Sequence, residues 1–164
     1  MKFYEKPMTI LEKGDVFVFG SNKYGFHGAG AAAFASFGDF NAKWREFSYD
    51  KKPNGWKGLY NIKGVSEGFQ IGSKGWSYAI PTVIKPGARR SIPLKDIENS
   101  IKSFYSFTMA ESQWKFYVAQ GASMGFNGYS GEEMAVAFSC VKIPDNIYFL
   151  KSFYELILNV KNFS

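Results

Sequence analysis

The same order of elements occurs twice along this chain: a short apolar run, a glycine-rich stretch, then a helix-favouring segment. Nothing else in the sequence restricts the fold as much. Val16 to Phe19 is apolar, β-branched and aromatic, with Lys13-Gly14-Asp15 before it and Gly20-Ser21-Asn22 after it, and reads as a buried strand. Gly25, Gly28 and Gly30 lead into Ala31, Ala32, Ala33, Phe34 and Ala35, an alanine-rich helix whose small residues allow close packing on a sheet. Later, Phe116 to Ala119 supplies a strand, Gly121 to Tyr129 a glycine-rich loop, and Glu132 to Val141 a helix. Strands alternating with helices predict an α/β layered domain, in which ligands usually bind at loops beyond the carboxyl ends of strands.

Between these two units, residues 41–75 show no sustained period and read as irregular, with room for a short helix or hairpin. Trp76 to Ile80 reads as a strand, and Pro81 is expected to end its hydrogen-bonding pattern because proline cannot donate. Pro93 stands near a helix start, and Leu94, Ile97, Ile101, Phe104, Tyr105 and Phe107 follow mostly at spacings of three or four. That pattern predicts an amphipathic helix to about Ala110. Ile147 to Leu150 reads as a last short strand, and Phe153 to Val160 fits either helix or strand. There is no internal repeat, linker or low-complexity tract.

At 164 residues, of which 46% are hydrophobic and 21% charged, the chain reads as one domain covering 1–164. A chain of this length buries about two thirds of its unfolded surface, so it needs neither disulfides nor a structural metal. Cys140 is the single cysteine and His27 the single histidine, which excludes a disulfide framework, a CxxC zinc site and multi-histidine metal chemistry. No metal site and no cofactor is expected. The amino-terminal stretch lacks a signal-peptide pattern, and no segment approaches the roughly 18 apolar residues of a membrane span, so the expected location is cytoplasmic with no membrane partner. Lys and Arg number 20 against 14 Asp and Glu, a net charge of +6, so a polyanionic partner is among the candidates. The basic residues form only small groups, Lys51 with Lys52 and Arg89 with Arg90, a pattern that equally fits a solubilising surface.

The first loop, Gly20 to Gly30, lets backbone N–H groups approach an anion closely, with a helix N-terminus behind them. It fits neither the Walker pattern nor the full GxGxxG fingerprint, since position 33 is Ala, and a tight strand-to-helix turn would use the same glycines. The second loop, Gly121 to Tyr129, offers N–H groups, the Ser123 hydroxyl and the Asn127 amide, a plausible cradle for a diphosphate. Phe126 and Tyr129 would stack on a sugar or base, or belong to the core.

In order and spacing these residues resemble the macrodomain family, the ADP-ribose-binding module. Asp15-Val-Phe-Val-Phe-Gly-Ser-Asn22 is similar to the family's first strand and DAIVNAAN segment, in register at Asp15 and Asn22. His27-Gly28-Ala29-Gly30-Ala31-Ala32 resembles the HGGGVA stretch of viral macrodomains, and Ser123-Met-Gly125-Phe126-Asn-Gly128-Tyr129 resembles the SxGIxGF diphosphate loop. Gly64-Val-Ser-Glu67-Gly68 and Trp76-Ser-Tyr78-Ala-Ile-Pro81 resemble the GEA turn and the strand after it. The overall look is closest to small macrodomain-like proteins of phages and bacteria. There are departures. The family's adenine-binding aspartate would fall near Met8, where no acid is present, Phe19 replaces the first asparagine of NAAN, and Ala31-Ala32 lack the aspartate of some hydrolytic members.

The resemblance implies a three-layer α/β/α sandwich with a mixed central sheet, and an ADP-ribose-type ligand. It places Ser21, Asn22, Gly28, Ala29, Gly30, Ser123, Met124, Gly125, Phe126, Asn127, Gly128 and Tyr129 at that ligand. Asn22 would contact the distal ribose hydroxyls, the alternative being a loop-capping asparagine. His27 would carry a proton beside a scissile bond, the alternative being an exposed loop histidine. With turnover, the chemistry would be that of an ADP-ribosyl hydrolase or an ADP-ribose 1''-phosphate phosphatase. Without it, the chain would be a sponge for NAD-derived signalling nucleotides. A basic nucleic-acid-binding module and a bare interaction module remain as other classes. Nucleophilic catalysis has little support, since Ser123 has no second histidine to activate it and Cys140 falls in an apolar helix where thiols are inert. Glu132 and Glu133 are expected to stabilise the first turn of their helix.

Overall fold

The computed structural model describes residues 1–6, 11–24, 67–71, 76–85, 87–123 and 127–163. Its centre is the apolar run at Asp15. Strand β1 covers Lys2–Tyr4, β2 Asp15–Asn22, β3 Gly68–Ile71 and β4 Trp76–Val83. Helix α1 (Leu94–Ala110) leads to β5 (Lys115–Val118) and a single helical turn, α2 (Gln120–Ser123). Helix α3 (Gly131–Phe138), β6 (Ile147–Leu150) and helix α4 (Lys151–Phe163) complete the order. The strands form one six-stranded sheet in the order β1-β6-β5-β2-β4-β3. It is mixed: β3 runs antiparallel to β4, and the other neighbours are parallel.

The near-continuous apolar run of β2 is what a parallel strand covered on both faces requires. Val16 and Val18 join the core under the helices, whereas Phe17 and Phe19 alternate to the opposite face and are also buried. The helices α1, α3 and α4 share that first face, through Ile97, Ile101, Phe104, Met134, Phe138, Phe153 and Ile157 packed with Phe116, Ile147 and Phe149 of the sheet. Burying each such large side chain contributes on the order of 1.5–3 kcal/mol. The Tyr105 hydroxyl donates to the Phe138 carbonyl and so ties α1 to α3 inside this layer. Burial pushes that phenol well above its ordinary range, which keeps it a donor.

Helix α1 has the expected start and end. Pro93 occupies its N-cap position, Asp96 lies in its first turn, and Ile97, Ile101, Phe104, Tyr105 and Thr108 form its buried stripe. The carbonyls at its far end are caught by one side chain: Asn146 Nδ2 donates to Thr108 O at 3.0 Å, Glu111 O at 3.2 Å and Trp114 O at 3.1 Å. That contact holds the turn from which β5 starts.

Several sequence expectations need correction. β4 does not stop at Pro81 but runs to Val83, with Ser21 opposite Pro81 and Asn22 opposite Val83. Among the described residues β3 pairs with β4 only as far as Ala79 and beyond it β4 is laddered to β2 alone, and a proline is tolerated where one side of a strand carries no ladder. Helix α3 spans 131–138 rather than 132–141, because Ser139 closes it with backbone bonds to the last turn. Cys140 therefore lies past the helix, half-buried, and burial first and Glu98 second push its thiol upward. Residues 151–163 are helical, which settles the open choice at the carboxyl end. Gly68–Ile71, inside the stretch 41–75 read as irregular with room for a short helix or hairpin, is a strand that pairs antiparallel with β4. The alanine-rich helix expected at 31–35 lies outside the described residues.

Candidate functional site

β2 and β5 are parallel neighbours with Val18 opposite Val118, and the ladder continues as Ala119 N–H donates to Val18 O at 2.8 Å. Both glycine-rich segments therefore leave the same edge of the sheet, side by side. β4 flanks β2 on its other side, so a third connection, 84–91, starts from that edge too.

At the end of β2, Ser21 and Asn22 are buried, and the register with β4 shifts between them, Ser21 facing Pro81 and Asn22 facing Val83, so that Thr82 of β4 is the extra residue of a bulge. Asn22 Oδ1 accepts the backbone N–H of Tyr24 at 3.1 Å, the closure of an Asx turn, and Lys23 N–H donates to Val83 O at 3.1 Å. The capping role considered for Asn22 is thus present in its oxygen. His27, Gly28, Ala29 and Gly30 lie outside the described residues, as do Met8, Met124, Gly125 and Phe126.

After β5 the chain does not enter a loop directly. It makes the α2 turn, and the buried Ser123 hydroxyl sits against Ala119 O at 3.4 Å and Gln120 O at 3.1 Å. A hydroxyl has one proton, and this one points back into its own turn. Asn127 repeats the Asx turn: its Oδ1 accepts Tyr129 N–H at 3.0 Å, and its Nδ2 lies 3.3 Å from the sulfur of Met134. Gly128 follows at φ +86°, and a Cβ there would stand 2.9 Å from Arg89 Cβ and 3.0 Å from Arg90 N. Only glycine allows both that dihedral angle and that approach. The Tyr129 hydroxyl donates to Ile92 O at 2.7 Å, so its ring joins the loop to the start of α1.

Arg90 completes the connection, and nothing in the sequence singled it out beyond its membership of a basic pair. It is the one non-glycine residue with positive φ among the described residues, at 48°. Its N–H donates to Asn127 O at 2.6 Å, and its guanidinium carbon lies 4.9 Å from the centroid of Tyr129. Its two terminal nitrogens donate to Glu133 at 3.1 and 2.6 Å. Glu133 also closes a capping box with Ser130, which is the helix-start role expected of it. The Ser130 backbone N–H first, and Arg90 second, hold the Glu133 carboxyl below the usual carboxylate range. It is therefore ionised at neutral pH and no proton donor there. The signal that identifies this cluster is the Ser-x-x-Glu pattern at 130–133, which marks Glu133; its partner, 43 residues away, carries no local mark.

The edge that results gathers the buried Asn22 and Asn127, whose amide oxygens close their own turns, with Lys23, Lys85, Arg89 and Arg90. Among the described residues no group of three or more His, Cys, Asp or Glu side chains is placed to hold a metal ion, and no helix is long and apolar enough to cross a membrane. No protein-family model, curated protein or solved structure matches this chain.

Proposed function

We propose that this chain is a three-layer, macrodomain-like protein that binds an ADP-ribose-type nucleotide at the carboxyl edge of β2 and β5. The observation that carries the reading is the pairing of these strands: the two segments that resemble the family's ribose and diphosphate loops, about 100 residues apart in the sequence, depart from adjacent parallel strands. The mixed sheet, the helices on one face and the burial of Phe17 and Phe19 on the other support the layered form of the proposal. In this reading Asn22 turns its carboxamide toward the distal ribose, the glycines and N–H groups of 28–30 and 123–128 hold the diphosphate, and Tyr129 frames the second loop. His27 stands in the first loop as the proton carrier for hydrolysis of an adduct at that ribose; a binding-only protein would act as a sponge for the same ligands.

A thermal-shift and calorimetric screen of ADP-ribose, its 1''-phosphate, cyclic ADP-ribose isomers, NAD, ATP and a short oligonucleotide tests this. A ligand that binds only the native state raises its melting temperature, and stabilisation by an ADP-ribose species is the expected result. Silence from every nucleotide sinks the reading. Stabilisation by the oligonucleotide alone, steeply weakened by salt, would replace it with the nucleic-acid-binding class.

A further inference from the structure

Asn127-Gly128 is one of two Asn-Gly pairs in the chain, the other being Asn54-Gly55. A glycine after asparagine leaves the intervening peptide nitrogen unhindered, because no Cβ shields it. That nitrogen can attack the carboxamide carbon: a C–N bond forms, the Gly128 N–H proton is lost, and the side-chain nitrogen leaves as ammonia. Water then opens the cyclic imide at either carbonyl, giving aspartate or isoaspartate. No reactant besides water is needed.

The fold holds both reacting groups of this pair in place. The Asn127 side chain is buried, with Oδ1 on the Tyr129 N–H at 3.0 Å and Nδ2 3.3 Å from the Met134 sulfur. Ring closure swings the carboxamide carbon onto the Gly128 nitrogen, which takes the carboxamide away from both contacts. The peptide that carries the attacking nitrogen is pinned as well. Its carbonyl, Asn127 O, accepts the Arg90 N–H at 2.6 Å, and Gly128 at φ +86° packs on the backbone of Arg89 and Arg90. Arg90 is anchored in turn by Glu133 and by the Tyr129 ring.

From this arrangement we infer that Asn127 is a site of hydrolytic deamidation gated by the joint between the β4–α1 connection and the second loop. While Arg90 and Glu133 hold the joint, the amide survives; opening of the joint, with the sheet still folded, releases it to cyclise. The change runs one way. Aspartate at 127 sets a carboxylate oxygen against the Met134 sulfur in a buried place, and an unpaired buried charge is costly. Isoaspartate adds a methylene carbon to the main chain between Asn127, bonded to Arg90, and Gly128, packed on it. Either product disfavours the closed joint, so the loop keeps a record of its own opening. No ligand takes part, and the inference stands or falls apart from the nucleotide reading.

The experiment is peptide mass mapping of the full chain aged at mildly alkaline pH, with and without denaturing urea. Unfolded wild type is expected to lose the Asn54 and Asn127 amides at similar rates, and native wild type to keep the Asn127 amide about tenfold longer or more. Arg90→Gly keeps the positive φ and removes the guanidinium, and Glu133→Gln removes its charge partner. Each should shorten that time several-fold under conditions where circular dichroism shows the fold intact. Loss from native wild type at the unfolded rate overturns the inference. So does protection unchanged in both variants, since the gate would then be global unfolding. In an Asn54→Gln background, chain aged in urea and refolded should melt below its unaged counterpart; identical melting would overturn the claim that the modification acts on the joint.

Discussion

The chain uses Asn-x-Tyr at two strand ends, Asn22-Lys23-Tyr24 after β2 and Asn127-Gly128-Tyr129 beyond β5, and both asparagines are buried and close the same Asx turn. Their surroundings differ. In the first, the middle residue is a lysine whose N–H stays in the ladder with Val83, and Tyr24 is 54% exposed. In the second, the middle residue is a glycine at positive φ pressed against Arg89 and Arg90, and the tyrosine is tied to Ile92 and covered by a guanidinium. The same local hydrogen bond is thus a strand terminator in one place and the base of an inter-loop joint in the other. A turn motif specifies its own closure; what the turn is for depends on what packs against it.

Breaking the joint at its tightest point should show the largest effect. Gly128→Ala forces a side chain into the left-handed region and against Arg89, and is expected to cost about 1–3 kcal/mol, whereas Lys23→Ala at the equivalent place is expected within about 0.5 kcal/mol. Urea denaturation of the two variants reads the difference, and equal midpoints would show that the loops are not distinguished in this way.

The tyrosines sharpen the contrast at smaller scale. Tyr129→Phe removes the donor to Ile92 O while leaving the ring under Arg90, and should lose about 0.5–1.5 kcal/mol. Tyr24→Phe removes a hydroxyl from a largely exposed residue and should stay within about 0.5 kcal/mol. Thermal melts of both variants against wild type check this, and a larger loss at Tyr24 would reverse the assignment.

The smallest effect is electrostatic. The lowered Glu133 carboxyl contributes stability that is present above its ordinary unfolded range and is lost as pH falls through its folded value. Relative to Glu133→Gln, the wild type should therefore lose more of its melting temperature between about pH 7 and about pH 3. High salt should narrow the gap, since the Arg90 contact is solvent-accessible. Parallel curves for the two proteins would mean that the pair does not hold the loop in solution.

Most of the element order is legible in the sequence because it follows from local pattern. The β2 run, the α1 stripe, the Ser130–Glu133 capping box and the β6 strand each carry their own periodicity or cap. β1 at Lys2–Tyr4 has no such mark; three residues of mixed exposure become a strand only because β6 offers them a parallel edge. Pro81 misled for a related reason: its missing N–H matters only where a neighbour needs it, and β3 ends short of it. The same holds at the site. Asn22, Asn127 and Gly128 are readable as turn residues, but the inward hydroxyl of Ser123 and the whole role of Arg90 depend on groups that sequence distance does not bring together.

What the sequence by itself determined is therefore the α/β alternation, the two glycine-rich segments and the residue types able to hold an anion. Those properties reside in backbone preference and hydrophobic period, which act over a few residues. Only the tertiary structure decided that β2 and β5 are neighbours, that the connection after β4 braces the second loop, and that Arg90 pairs with Glu133. These are set by strand order and by contacts across 37 residues or more, where packing of the whole layer, rather than any local signal, chooses the partner.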